Sequence, residues 1–346
     1  MFNLCLITSS FCYAQEEVNI GDSSAVDKIK ALKYYNLGIE NFNNKAYQIA
    51  ILQFDSAIFF SKNYEKAYFN RGSAKYQLKD YQNAVQDFDN SIALKPDSNE
   101  SYYLRGRANL ELKNGVAALS DFNTAILYQP TNAQAYYYKG GYLFVEGKYD
   151  EAILAFNSAI KNNANYAYAY NDRASAKRQL KDLSGAIEDY KKAILIDQSL
   201  TFIYNNLGSA LRNNQQYKEA ITNYSKAIEL NSKSQMAYNN RGLAKHENGD
   251  YAEAIKDFDS AIQLDKSYSF AYNNRAASKF KINDYTGAVK DCTKAIFINE
   301  SYAAAYLNRG IAYEMLREQT KACEDWKTAA SLGLKNGKSF VQQSCN

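Results

Sequence analysis

Few side chains in this sequence are suited to covalent or metal chemistry. His246 is the single histidine among 346 residues. A metal centre needs several His, Cys or carboxylate ligands together, and a nucleophilic triad needs a base with an orienting partner. No such set lies near His246 in the sequence, so it reads as a solvated side chain, with no metal and no cofactor expected. There is no glycine-rich phosphate loop after a strand pattern and no Gly-x-Ser-x-Gly. The chain reads as non-enzymatic.

The polar residues that do recur suit recognition and bracing. Asn36, Asn70, Asn206, Asn240, Asn274 and Asn308 form one spaced series, interrupted by Leu104, Tyr138 and Asp172. An Asn amide carries a donor and an acceptor side by side and can pair with a peptide N–H and C=O together. Arg71, Arg105, Arg173, Arg241, Arg275 and Arg309 form a second series. Sixteen residues after each stands an aspartate: Asp87, Asp121, Asp189, Asp257, Asp291 and Asp325. Where the Arg is replaced (Leu37, Lys139, Leu207), the Asp is missing too (Gln53, Ala155, Asn223). This correlation predicts an Arg–Asp ion pair within each unit, with a structural role.

Both series share a period of 34, so the elements that position them must repeat. Nine units start at Ala31, Glu65, Asn99, Ala133, Ala167, Thr201, Gln235, Ser269 and Ala303, and they run without insertion from 31 to 336. A fixed period of this length marks a stacked solenoid. Position 4 is always Tyr and position 20 always Ala. Position 24 is Phe54, Phe88, Phe122, Phe156, Tyr190, Tyr224, Phe258 or Trp326, with Cys292 the exception. Positions 4, 8 and 11 recur at helical spacing, as do 20, 24, 27 and 28. Two helices are predicted, over about positions 2–14 and 17–30. Asn-Gly-Asp at 248–250 and Asn-Asp at 283–284 mark the turn between them. Glycine within a helix costs about 1 kcal/mol against Ala. Its recurrence at position 8 therefore predicts a close approach of two backbones.

Gly242, Ala254, Phe258 and Ala261, with their equivalents, resemble the tetratricopeptide repeat family over nearly the whole chain. Position 7 is Arg more often than Leu, which is similar to an Arg-Gly variant of the repeat. The resemblance implies an all-α, right-handed superhelical solenoid of nine helix-turn-helix repeats. It also implies a concave groove lined by first-helix positions 2, 5, 6, 9, 12 and 13. Repeats 1–4 would place Tyr35, Phe69, Tyr103, Tyr137 and Tyr138 there. Repeats 5–8 would place Asn171, Asn205, Asn239 and Asn273 there, with Arg178 and Arg212. The groove is expected to have an aromatic half and a polar half. Some family members read a peptide backbone with an Asn ladder, and that role is implied for the Asn series. The family's clamp for acidic chaperone tails needs Lys at position 5, so that partner is not expected. Arg178 and Arg212, one repeat apart, could hold a carboxylate, or serve only as solvated charge.

Residues 1–14, MFNLCLITSSFCYA, are apolar but shorter than the roughly 20 residues that span a bilayer. They resemble a secretory signal cleaved after Ala14. Residues 15–30 are expected to be a flexible segment, and 337–346 a C-terminal cap in which Phe340 and Val341 cover the last seam. Such a signal leaves Cys292, Cys323 and Cys345. Cys292 occupies an aromatic core position, and a Cys323–Cys345 disulfide is expected in an oxidising compartment. The 41 basic and 37 acidic residues are mixed throughout, which disfavours nucleic acid. The expected molecule is a secreted or periplasmic scaffold of a bacterial envelope that binds a protein or peptide. A self-assembling envelope component is the alternative.

Overall fold

The computed structural model describes residues 23–345, so the signal reading for 1–14 lies outside the described residues. Nineteen helices and no strand occur among the described residues. They pair as the period demands. In the second repeat α3 is Glu65–Gln77 and α4 is Tyr81–Leu94, and in the seventh α13 is Gln235–Glu247 and α14 is Tyr251–Leu264. First helices thus fill positions 1–13 and second helices 17–30. The chain forms two compact units, one up to Tyr142 and one from Leu143. Within each, consecutive helices pack on one another.

Each turn between paired helices passes through a left-handed residue at position 15. Lys45, Lys79, Lys113, Lys181, Gln215, Asn283 and Arg317 have φ near +60°, and Gly147 and Gly249 fill the other two turns. This is a helix stop in which the reversing backbone caps the last carbonyls. At one such stop Gly249 N–H donates to His246 O at 3.0 Å and Asp250 N–H to Lys245 O at 2.8 Å. The sequence signalled this stop only where Gly or Asn stands in it.

The core repeats with the helices. All nine position 24 side chains, Cys292 among them, are fully buried. A Cβ on Gly242 would sit 2.7 Å from Phe258 Cε1, which shows why position 8 stays small. Each buried ring contributes roughly 1.5–3 kcal/mol. The Cys292 thiol is pushed up to about 12 by burial and Asp291, which suits a core thiol.

Both ends differ from the sequence expectation. Helix α1 (Ser23–Asn43) starts at Ser23, so residues 23–30 are helical and not part of a flexible segment. Ala25 and Ala31 are buried at 7 % and 2 %, so packing holds these added turns. Helix α19 (Lys335–Ser344) begins two residues before the expected cap. Phe340 stacks on Trp326 with centroids 4.8 Å apart, and a disulfide joins Cys323 to Cys345. Val341 is half-buried.

Candidate functional site: the first-helix faces

The six Arg–Asp pairs meet. In each, Nε and Nη2 of the Arg donate to both oxygens of the Asp sixteen residues on, as in Arg275 to Asp291 at 2.8 and 2.5 Å. The same geometry holds for Arg71–Asp87, Arg105–Asp121, Arg173–Asp189, Arg241–Asp257 and Arg309–Asp325. Each guanidinium also lies over the Tyr three residues earlier, at 5.2–5.6 Å.

Two further partners escaped the sequence reading. Nη1 donates back to position 25 of the preceding repeat: Asp55, Asp89, Asn157, Ser225, Asp259 or Thr293. The guanidinium therefore ties three helices. At position 11, Lys75, Lys177, Lys245 and Lys279 give the buried Asp a second cation, and Asn109 gives it an amide. The signal was present in the sequence. Position 25 is an acceptor before every Arg of the series, but it is Lys191 before Leu207.

The position 6 amides mostly face the neighbouring repeat. Asn206 Nδ2 donates to Asn171 Oδ1 at 3.0 Å, Asn274 to Asn239 at 2.9 Å and Asn308 to Asn273 at 2.9 Å. Asn70, itself buried, donates to Tyr35 Oη at 3.1 Å and to the Lys66 carbonyl. The ladder thus joins successive first helices, with one amide N–H held in the seam at each of these steps. Asn205 Oδ1, buried, has no partner among the described residues, and Asn240 lies one repeat on. Asn36 is exposed.

In repeats 3–8 position 5 is a seam position, not a groove surface, whereas Tyr35 and Phe69 are half-buried. Tyr103 and Tyr137 are 5 % exposed. Asn171, Asn205, Asn239 and Asn273 are 4–6 % exposed. Tyr35 packs on Phe54 and Tyr64, and Phe69 on Phe88. Several side chains at this position meet the adjacent first helix, as Tyr103 does at Tyr138 and Asn171, Asn239 and Asn273 do at Asn206, Asn274 and Asn308. The arginines expected to hold a carboxylate divide. Arg212 is bridged to Glu247 at 2.9 Å, while Arg178 is half-buried beside Tyr190.

On the first helices of repeats 6–8, position 2 is the exposed apolar position. Phe202 is 39 % exposed, Met236 52 % and Phe270 52 %. Tyr168, half-buried, stacks on Phe202 at 5.8 Å. These four are one per first helix in repeats 5–8, the part the sequence reading described as polar. In repeats 1–4 the same position reads Leu32, Lys66, Glu100 and Gln134. Each exposed apolar residue has the position 6 amide one turn along, on the same helix face.

His246 Nδ1 lies 2.8 Å from Ser278 Oγ, and its ring packs edge-on against Tyr251. Burial, with Lys281 adding to it, lowers its pKa. A cavity of about 150 Å³ adjoins it, lined in part by Phe280, Lys281 and Asn308. Among the described residues no His, Cys, Asp and Glu group is arranged to hold a metal, and no helix is long and apolar enough to cross a membrane.

Comparison with known proteins agrees with this geometry. Tetratricopeptide repeat models match residues 65–98 and 236–268, 117–167 and 146–199, and a TPR repeat model matches 208–249. Among curated proteins none matches the chain significantly. A tetratricopeptide repeat protein from Parabacteroides merdae is 22 % identical, with a TM-score of 0.59. That match covers 72 % of this chain and 99 % of the other. The Cut9–Hcn1 hetero-tetramer of the APC/C matches at TM-score 0.56 and 14 % identity, over 91 % of this chain and 76 % of the other. Pseudomonas aeruginosa pilF matches at 0.52 and 19 %, over 61 % and 95 %. At these identities the structures speak for the fold alone. With the repeat models matched along the chain and paired helices throughout, this protein belongs to the tetratricopeptide repeat family.

Proposed function

We propose that this chain is a non-enzymatic scaffold that binds an extended segment of a partner protein along the first helices of unit 2. The observation that carries this reading is the exposed series Phe202, Met236 and Phe270, continued by Tyr168. Packed helices stand 8–10 Å apart, and three residues of an extended polyproline-II chain span about 9 Å. An extended segment with an apolar side chain at every third residue would therefore meet one of these residues per repeat. The carbonyls of Asn206, Asn274 and Asn308, not used in the seam bonds, would accept its backbone N–H groups.

The compartment we propose is the envelope or exterior of a bacterial cell. The disulfide between Cys323 and Cys345 and the signal-like start of the sequence support it. Self-assembly is the competing reading, since the same exposed residues could meet a second copy.

The test is a crosslinked pull-down from envelope fractions. The wild type is compared with a variant carrying Phe202→Ser, Met236→Ser and Phe270→Ser. These three residues are exposed, so the variant should melt close to the wild type while losing the partner. Retention of every partner at equal yield defeats the proposal. Changing Asn206, Asn240 and Asn274 to Ala is a poorer probe, because two of those amides hold the seam and their loss also lowers stability.

A further inference from the structure

Unit 1 contains a cation with no counter-charge paired to it among the described residues. Arg107, at position 9 of the third repeat, is held between rings from three successive first helices. Its guanidinium carbon lies 4.9 Å from the Tyr76 ring centre, 4.9 Å from Tyr138 and 5.7 Å from Tyr103. These come from α3, α5 (Asn99–Glu111) and α7 (Ala133–Val145). Every arginine of the position 7 series is fixed by a carboxylate, and Arg212 by Glu247. The electrostatic neighbours of Arg107 are tyrosines instead. Burial pushes the Tyr76 hydroxyl up to about 12, and burial raises Tyr103 as well, so both are neutral and supply no negative charge. Arg107 Nε is buried without an acceptor among the described residues. Glu111, one turn on, is exposed and pairs with no cation among the described residues.

Ring faces compensate a desolvated guanidinium only in part. Taking a cation out of water without a partner is costly, so this arrangement gains most from an incoming anion. The planar group is already oriented, with one hydrogen bond to Tyr103, and a guanidinium presents its remaining N–H groups in the fork that a carboxylate fits.

We propose that Arg107, walled by Tyr76, Tyr103 and Tyr138, is a binding site for an aspartate or glutamate side chain of a partner protein. Tyr138 belongs to the one tract with three consecutive tyrosines, Tyr136-Tyr137-Tyr138, and a Cβ on nearby Gly141 would meet nothing within 4 Å. The site would add a charged contact to the peptide-binding reading, on which it rests. It lies in unit 1, whereas the pull-down variant above alters unit 2, so the two ideas fail separately.

The test follows the Arg107 Nε–H resonance, and in every variant the backbone N–H resonance of Gly141, by NMR in the full chain. Three millimolar probes are added in turn. They are acetyl-Ser-Leu-Glu-Leu-Ser-amide, its Gln counterpart, and the Gln peptide with a free C-terminal carboxylate. The Glu peptide should shift the resonance and bind about tenfold or more tightly than either other probe, with affinity falling as salt rises. Arg107→Gln should remove the preference with the fold intact by circular dichroism. Tyr138→Leu, which keeps the charge but opens the wall, should weaken it. Equal binding of the Glu and Gln peptides, or no shift with any probe, overturns the proposal. Preference for the free terminus overturns the side-chain assignment. If Arg107→Gln alters the melting temperature but leaves the peptide preference unchanged, Arg107 is a packing residue and the site does not exist.

Discussion

A buried aspartate with two cations is the smallest unit that explains how this chain holds together. Asp291 accepts two bonds from Arg275 and one from Lys279, with 6 % of its side chain exposed. Asp259 meets the same Arg275 from the preceding repeat but is 51 % exposed. Removing the buried partner strands a charge, whereas an exposed pair contributes little. Asp291→Ala should therefore cost about 3–5 kcal/mol and Asp259→Ala under about 1 kcal/mol, read by urea denaturation. Equal losses would show that burial does not set the hierarchy. His246 gives a second prediction. Its folded pKa lies below the unfolded one because burial, then Lys281, disfavour the charged ring. The unfolded state then binds more protons, so the His246 contribution is whole above the unfolded pKa, about 6.5, and is lost as pH falls through that value. Ser278 and Tyr251 are its other neighbours. Between pH 7 and 5 the wild type should lose more stability than His246→Asn. Parallel curves would show that the ring titrates as in water.

At the scale of elements, the last seam is the clearest case. Helix α18 (Gln319–Ser331) is followed by α19, which covers its face, with Phe340 on Trp326 and Gly337 close against the Ala330 backbone. A terminal repeat needs such a cover. The Cys323–Cys345 bridge closes a sequence separation of 22, which in the loop-entropy picture contributes about 3 kcal/mol. Trp326 is the single tryptophan and so reports on this seam alone. Under reducing conditions, or in Cys345→Ser, its emission should shift to the red at lower urea than in the oxidised protein. An unchanged midpoint would mean that packing alone holds the cap. The cap was legible in the sequence because an apolar tail followed the last unit. The early start of α1 was not, because Ser23-Ser24-Ala25 carries no strong periodicity before it packs.

For the whole molecule, exposed apolar residues on the second helices are the concern. Phe59, Leu127, Leu195 and Phe297 at position 29 are each 74–79 % exposed. The intervening repeats carry Ala93, Lys161, Glu229 and Gln263 there, so no continuous apolar row forms. Scattered exposed apolar residues are ordinary, whereas contiguous patches drive association. Purified protein should therefore show a monomer mass by light scattering that does not change with concentration. A mass that climbs would favour self-assembly over partner binding. The sequence alone determined the repeat length, the helix pairs, the buried ring of each repeat and the Arg–Asp pairing, because each recurs at fixed spacing within one short segment. Only the tertiary structure decided which polar and aromatic residues remain available. Position 5 proved buried in repeats 3–8, position 6 largely bonded across the seam, position 2 exposed in repeats 6–8, and Arg107 left without a counter-ion among the described residues. Those outcomes depend on what the adjacent repeat brings to the contact, and a side chain's own repeat does not contain that information.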